Sequence, residues 1–153
     1  MSTALHRLSN GRFTAVITAA GTGYSTWNGL ALTRWNADPV EDADGFFLYL
    51  RDGDSGAFWS LGQQPALAPT AQRANWFADG RAELRCAYAD IEATLNISGP
   101  ADRDVELRRV TLRNAGDRSR RIELTTYAEI VLNDQAAHAA HPAFSKLFVQ
   151  TEH

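Results

Sequence analysis

The stretch AAGTGYSTWNG, Ala19–Gly29, gathers three glycines and two large aromatic side chains within eleven residues. A glycine turn cradles a phosphate when it opens a helix and carries a Lys-Ser/Thr pair, because backbone N–H groups and the lysine must meet the anion together. GTGYST carries no such pair, and Gly23 is followed by Tyr24, Ser25 and Thr26 rather than by the spacing of a G-x-G-x-x-G turn. No amphipathic helix follows it, which argues against a nucleotide site. Two readings stay open. Glycines at a strand end mark an irregular turn. Alternatively, Tyr24 and Trp27 stack on a pyranose ring while Ser25, Thr26 and Asn28 bond its hydroxyls, since aromatic faces with a few polar groups are what a sugar site requires.

Two other groupings bear on chemistry. His138 and His141 stand three apart, as two metal ligands on one helical turn would, with Asp134 within reach as a third. No motif fixes the remaining ligands, so the favoured reading is a loop in which His141, before Pro142, bonds backbone. No metal and no cofactor are expected. The acidic loop ADPVEDADG offers Asp38, Glu41, Asp42 and Asp44. Glycosidases work with two carboxylates, yet no pair here stands out as acid and base, and turn chemistry accounts for the loop. Neither a Ser-His-Asp arrangement nor a G-x-S-x-G elbow is present.

The totals bound the partners. The chain has 153 residues, 44% of them hydrophobic and 22% charged, which fits one folded domain. Its formal net charge of -3 speaks against a nucleic-acid partner. Basic residues cluster over Arg103–Arg121, but Asp102, Asp104, Glu106 and Asp117 interleave with them, as on a solvated strand face of mixed charge. The single cysteine, Cys86, falls in step with Ala82, Leu84 and Tyr88 and reads as a core residue. A reducing compartment fits, and a cytoplasmic location is expected. No apolar run is long enough to span a bilayer.

The elements that must position these residues are strands. Ile91, Ala93, Leu95 and Ile97 alternate with polar residues, as do Ala82, Leu84, Cys86 and Tyr88, and a break at Ala89-Asp90 makes the two a hairpin. Asp79-Gly80 joins RANWFA to RAELRCAY, and RFTAVIT follows the Asn10-Gly11 turn. GFFLYLRD and GAFWSLG pair across Gly53-Asp54-Ser55. Alternation from Ile122 to Leu132 predicts one long strand with a face inward. The preceding segment, from Val105, predicts its hairpin partner, with a bulge near Arg108-Arg109 and a turn at Asn114–Asp117 in which Gly116 takes positive φ. GQQPALAPTAQ and NDQAAHAAHPAFS interrupt the rhythm, the second with a short helical turn before Pro142. Many strands on short turns make an all-β, antiparallel sandwich.

Four stretches then carry a resemblance: LSNGRFTAVITAAGTGYSTW, LALTRWNADPVEDADGFFLYLRDGDSGAFWSLGQQP, VELRRVTLRNAGDRSRRIELTTYAEIVL and AAHPAFSKLFVQTE. In order and over nearly the whole chain they resemble the N-terminal β-sandwich domain of the glycoside phosphorylase family once classed among glycosyltransferases. That family includes cellobiose and chitobiose phosphorylases, and the look is nearest to the phosphorylase-like region of cyclic β-1,2-glucan synthases. The resemblance implies a supersandwich similar to the galactose mutarotase-like fold, of which residues 1–153 would be one domain and a truncated portion. It also implies a separate (α/α)6 helical barrel that supplies the catalytic acid and the phosphate site. On this reading the chain is noncatalytic by itself, its partners are that barrel, a weakly held β-glucan oligosaccharide and a second copy in a homodimer, and any inner-membrane anchor belongs to other segments of the parent. Gly21–Trp27 matches the family's GGGYS-type loop, with Thr22 where a glycine is common. The cleft-facing residues implied are Gly23, Tyr24, Ser25, Trp27, Arg34 and Trp35, the last two from the TRW match. A buried Arg-aromatic contact is the alternative for Arg34 and Trp35. Two competing functions remain: a purely structural or dimerisation module, and a mutarotase-like epimerase, which needs His138 or His141 to meet a carboxylate such as Glu129.

Overall fold

The computed structural model describes residues 4–36 and 43–152, and it is built almost wholly of antiparallel strands. Five strands form one sheet in the order β1-β2-β3-β4-β12: β1 Leu5–Ser9, β2 Phe13–Thr18, β3 Gly23–Trp27, β4 Leu30–Thr33 and β12 Ile130–Asn133. Three form a second in the order β11-β5-β6: β11 Ile122–Ala128, β5 Phe46–Asp52 and β6 Phe58–Ser60. Four form a third in the order β10-β9-β8-β7: β10 Leu107–Asn114, β9 Ile91–Ser98, β8 Arg81–Tyr88 and β7 Gln72–Ala78. This is the all-β sandwich expected from the alternating pattern.

The core is where that alternation places it. Ala82, Leu84 and Cys86 of β8 and Ile91, Ala93, Leu95 and Ile97 of β9 point to one side. They share a cluster with Ala15 and Ile17 of β2 and with Leu48, Leu50 and Trp59 of β5 and β6. Burial pushes the Cys86 thiol pKa up. Trp59 is fully buried, and its ring lies 5.0 Å from that of Tyr88, locking the three-stranded sheet to the four-stranded one. The Pro-containing loop after β6 is tied down by one residue: Arg73 donates to the carbonyls of Ser60, Gly62 and Ala68, each at 3.2 Å.

Three expectations of connectivity change. The alternation from Ile122 to Leu132 is not one strand. β11 pairs with β5, the chain leaves that sheet at Glu129, and β12 pairs with β4 in another. Leu132 takes φ 54 at a register shift in that second pairing. The alternating face is also not buried: Leu124 and Leu132 are 45% and 57% exposed, and Val131 is the buried residue. Alternation reports a two-sided strand and cannot tell which side meets the core. Second, β10 and β11 are not a hairpin, because β10 pairs with β9 and β11 with β5. The register from Leu107↔Ser98 to Asn114↔Ile91 is unbroken, so there is no bulge at Arg108-Arg109; Val105 lies outside the strand instead. Third, the connection after β10 does not rest on a positive-φ Gly116. Asn114 closes it with its side chain, accepting from Gly116 N at 3.1 Å and donating to Arg118 O at 2.7 Å.

The basic run Arg103–Arg121 is solvated only in part. Arg103 and Arg113 are exposed, but Arg108 packs over the Phe46 ring and pairs with Glu106. Arg120 is buried against Asp52, 2.6 Å away, and donates also to Ala89 O at 2.8 Å, so it joins the β5–β6 turn to the β8–β9 turn. Asp52 accepts in addition from Ser55 Oγ at 2.5 Å and from Asp54 N at 3.1 Å. Among the described residues no helix is long and apolar enough to cross a membrane.

The Ser55 hydrogen bond first, then the Asp54 amide and Arg120, hold the Asp52 carboxyl well below the usual carboxylate range. A carboxyl whose folded value is depressed contributes stability in full above its unfolded value near 4 and loses it as pH falls through the folded value. Urea denaturation across a pH series should therefore show stability declining from about pH 4 downward. Asp52→Asn should be less stable at neutral pH and show a shallower acid decline; an unchanged slope would mean that the turn does not depend on this charge.

Candidate functional site

The glycine stretch is a hairpin and not a loop. β2 turns at Thr18–Thr22 into β3, with Thr18 N donating to Thr22 O at 2.9 Å and the two hydroxyls 2.6 Å apart. Gly21 and Gly62 approach so closely that a Cβ on Gly21 would meet the Gly62 Cα at 2.9 Å. Gly23 has φ +147, and a Cβ there would overlap the Val16 carbonyl oxygen of the paired strand. The glycines thus serve close backbone packing. β3 then runs between β2 and β4 and returns through Asn28 and Gly29, at φ 47 and 84, the two-residue turn that an Asn-Gly pair favours.

That geometry splits the six residues into two groups. Gly23, Ser25 and Trp27 pair with Ile17, Ala15 and Phe13, whereas Tyr24 pairs with Val16. Successive strand residues face opposite sides of a sheet. Tyr24 and Trp27 therefore cannot stack on one sugar ring, and the expectation that they do so together is corrected.

On the Trp27 side the polar atoms are engaged. The Trp27 indole donates to Asp104 at 2.7 Å, and Asp104 also accepts from Asn10 at 2.8 Å and pairs with Arg12 at 3.2 Å. The Trp27 bond, followed by that from Asn10, holds the Asp104 carboxyl below its ordinary value. Ser25 donates to Glu106 at 2.9 Å, and its backbone N–H donates to Thr33 Oγ1 at 2.9 Å. These contacts fasten the five-stranded sheet to the segment before β10.

On the other side the Tyr24 ring meets that of Trp35, the residue after Arg34. The Tyr24 and Trp35 rings are 5.1 Å apart and tilted by 40°. Arg34 donates to Glu129 at 3.1 Å and lies 3.5 Å from Asp44, whose backbone carbonyl in turn accepts from Gly23 N at 3.1 Å. Its own backbone N–H donates to the Glu129 carbonyl at 2.9 Å. Glu129 also pairs with Lys146. The Glu129 hydrogen bond, reinforced by Asp44, raises the Arg34 pKa. Burial pushes the Glu129 carboxyl up, but its bonds to Lys146 and Arg34 outweigh this and hold it below its ordinary value. The result is a pair of tilted aromatic rings and, next to Trp35 in the chain, an arginine side chain 41% exposed whose guanidinium two carboxylates hold.

The histidines do something else. Asp134 caps helix α1, Gln135–Ala140, by accepting from Ala136 N and Ala137 N at 2.9 and 3.1 Å, so its carboxylate is engaged by backbone. His138 is buried on α1, and His141 stands between α1 and α2, Pro142–Lys146. No group of three or more His, Cys, Asp or Glu suited to a metal occurs among the described residues. Asp38, Glu41 and Asp42 of the acidic loop lie outside the described residues.

Sequence reasoning missed Glu129 as the partner of Arg34, Lys146 as the partner of Glu129 and Asp104 as the partner of Trp27, since each pair meets only through tertiary structure. The split of Tyr24 from Trp27 was within reach, because Asn28-Gly29 is a hairpin turn signal that makes GYSTW a strand. Gly23→Ala should cost about 3 kcal/mol or more, the range for strain at a close backbone approach. Urea denaturation measures this; a cost below about 1 kcal/mol would show that β2 and β3 can part without penalty.

Comparison with known proteins agrees with the architecture. The family described as "Glycosyl hydrolase 94, supersandwich domain" matches residues 2–153. Cyclic beta-(1,2)-glucan synthase NdvB of Rhizobium meliloti (strain 1021) is 43% identical over 145 residues, 95% of this chain and 5% of that protein. N,N'-diacetylchitobiose phosphorylase of Vibrio proteolyticus is 28% identical over 127 residues, 80% of this chain and 16% of that protein. Solabiose phosphorylase of Paenibacillus borealis is 28% identical over 98 residues, 64% of this chain and 13% of that protein. The chain thus spans between 5% and 16% of the length of these relatives. With its antiparallel sheets, its shared core and a family match over almost every residue, the chain belongs to the glycosyl hydrolase 94 supersandwich family.

Proposed function

We propose that this supersandwich is a noncatalytic wall of a glucan-handling enzyme, and that the Tyr24–Arg34–Trp35 corner faces the sugar. The observation that carries the reading is the aiming of Arg34. Asp44 and Glu129 hold its guanidinium while its side chain stays partly exposed, and the next residue, Trp35, sets its ring against that of Tyr24. Ring faces and fixed donors are the two things a pyranose needs. The Ser25–Trp27 side of β3 is the scaffold, because its donors are taken by Glu106 and Asp104.

The same corner has an apolar flank suited to a larger partner. Phe144, Leu147 and Phe148 are 63%, 74% and 71% exposed around Lys146, which pairs with Glu129. A contiguous apolar patch of this kind marks a protein contact. We assign it to the helical catalytic barrel of the parent enzyme, whose wall would complete the cleft; a second copy of the domain is the competing occupant. An epimerase reading fits less well. It requires a carboxylate free to take a proton near a histidine in a cleft, and Glu129 is gripped by Arg34 and Lys146 while His138 is buried.

Titration of the chain with linear and cyclic β-1,2-glucans and with cello-oligosaccharides, followed by tryptophan fluorescence and NMR shifts, tests the reading. Saturable shifts at Tyr24 and Trp35, lost in Trp35→Ala and retained in Trp27→Phe, are expected, at a Kd on the order of millimolar for half of a cleft. Silence at these residues with every glucan would leave a structural module.

A further inference from the structure

The outward face of the four-stranded sheet carries a second array, separate from the Tyr24–Trp35 corner. Register sets it in two rows: Trp76 of β7 opposite Glu83 of β8 and Asn96 of β9, then Ala74 opposite Arg85 and Thr94. These positions alternate with the core residues Leu84, Cys86, Ala93, Leu95 and Ile97, so they face away from it. Trp76 is 49% exposed on an edge strand, and the Arg81 guanidinium lies 4.9 Å from its ring centroid, bracing one side of it. Ala74, two residues along the same strand face, leaves a gap beside the indole. A cleft of about 340 Å³ opens there, lined by Ala74, Trp76, Arg81, Glu83 and Arg85. A second of about 400 Å³ shares Ala74 and Arg85 with it and runs on past Glu92 and Thr94, so the two form one trough along the sheet.

Charge and composition choose the occupant. Of the four arginines that the register puts on this face, Arg85 pairs with Glu83 at 2.6 Å and Arg113 with Glu92 at 2.8 Å, Arg81 is held over the Trp76 ring, and Arg109 stands opposite Asn96. A polyanion would find two carboxylates on the face beside the two unbalanced arginines, not the continuous run of free cations that draws one. A protein surface would find one aromatic ring and the methyls of Ala74 and Ala87 among polar side chains, too little apolar area for a stable interface. A neutral chain of sugar rings finds an aromatic platform and a row of donors and acceptors at fixed spacing. We propose that this trough is a second carbohydrate-binding site, which holds a linear, uncharged oligosaccharide along the sheet with one ring against Trp76. The proposal takes from the preceding section only the class of ligand.

The test uses the 153-residue chain, linear β-1,2-glucan and cellohexaose as neutral probes, and a heparin oligosaccharide as the polyanion. Residue-resolved NMR separates the two surfaces. The expected result is saturable shifts at the Trp76 indole and at Ala74 and Arg85 with a neutral probe, persisting in Trp35→Ala. Trp76→Ala should weaken that binding at least about tenfold. Ala74→Trp, which fills the gap and keeps Trp76, should abolish it, and an unchanged amide spectrum away from the trough certifies that the variant is folded. Shifts confined to Tyr24 and Trp35 would overturn the trough and leave the corner intact, and shifts at Trp76 alone would do the reverse. Stronger binding of heparin than of either glucan at Trp76, or no neutral response there at tens of millimolar, would also overturn the proposal.

Discussion

Glu129 is the joint on which this arrangement turns. There the chain leaves β11 in the three-stranded sheet and enters β12 in the five-stranded one. Its carbonyl accepts from Arg34 N, and its carboxylate grips the Arg34 side chain on one side and Lys146 on the other. One residue thus stands where the chain leaves one sheet for another, anchors the short α2 helix and holds the arginine next to Trp35. A buried or half-buried carboxylate is costly unless its charge is met. Meeting it with two cations from separate parts of the chain fixes their relative positions.

The same device recurs. Asp52 joins two turns through Arg120, Glu106 links Ser25 to Arg108, and Asp104 collects Asn10, Arg12 and Trp27. In a sandwich of three sheets the apolar core holds the layers face to face but does not define how their ends meet. Charge-assisted hydrogen bonds are directional, so they can. These carboxylates are accordingly engaged in holding the fold.

What was legible in the sequence follows from this division of labour. Alternation along Ala82–Tyr88 and Ile91–Ile97 reports local geometry, so those strands, their hairpin and the burial of Cys86 could be read directly. Asn10-Gly11 and Asp79-Gly80 marked their turns for the same reason. The alternation through Glu129 was equally regular and misled, since nothing local says that a strand changes sheets halfway. A family likeness drew attention to Arg34 and Trp35, while the pairing of Glu129 with Arg34 and of Lys146 with Glu129 joins residues far apart in the chain. Trp27 drew attention as an aromatic face in the glycine stretch, and nothing local announced that its indole N–H meets Asp104.

A double-mutant cycle on Arg34 and Glu129, read by urea denaturation and by the NMR shift of the Trp35 indole, tests the joint most directly. The account predicts a coupling of about 0.5 to 1 kcal/mol, the range for a partly solvated pair. It also predicts that Glu129→Gln alone moves the Trp35 and Tyr24 signals. Additive stabilities together with an unmoved Trp35 resonance would contradict it, and would mean that the corner is positioned by strand pairing alone.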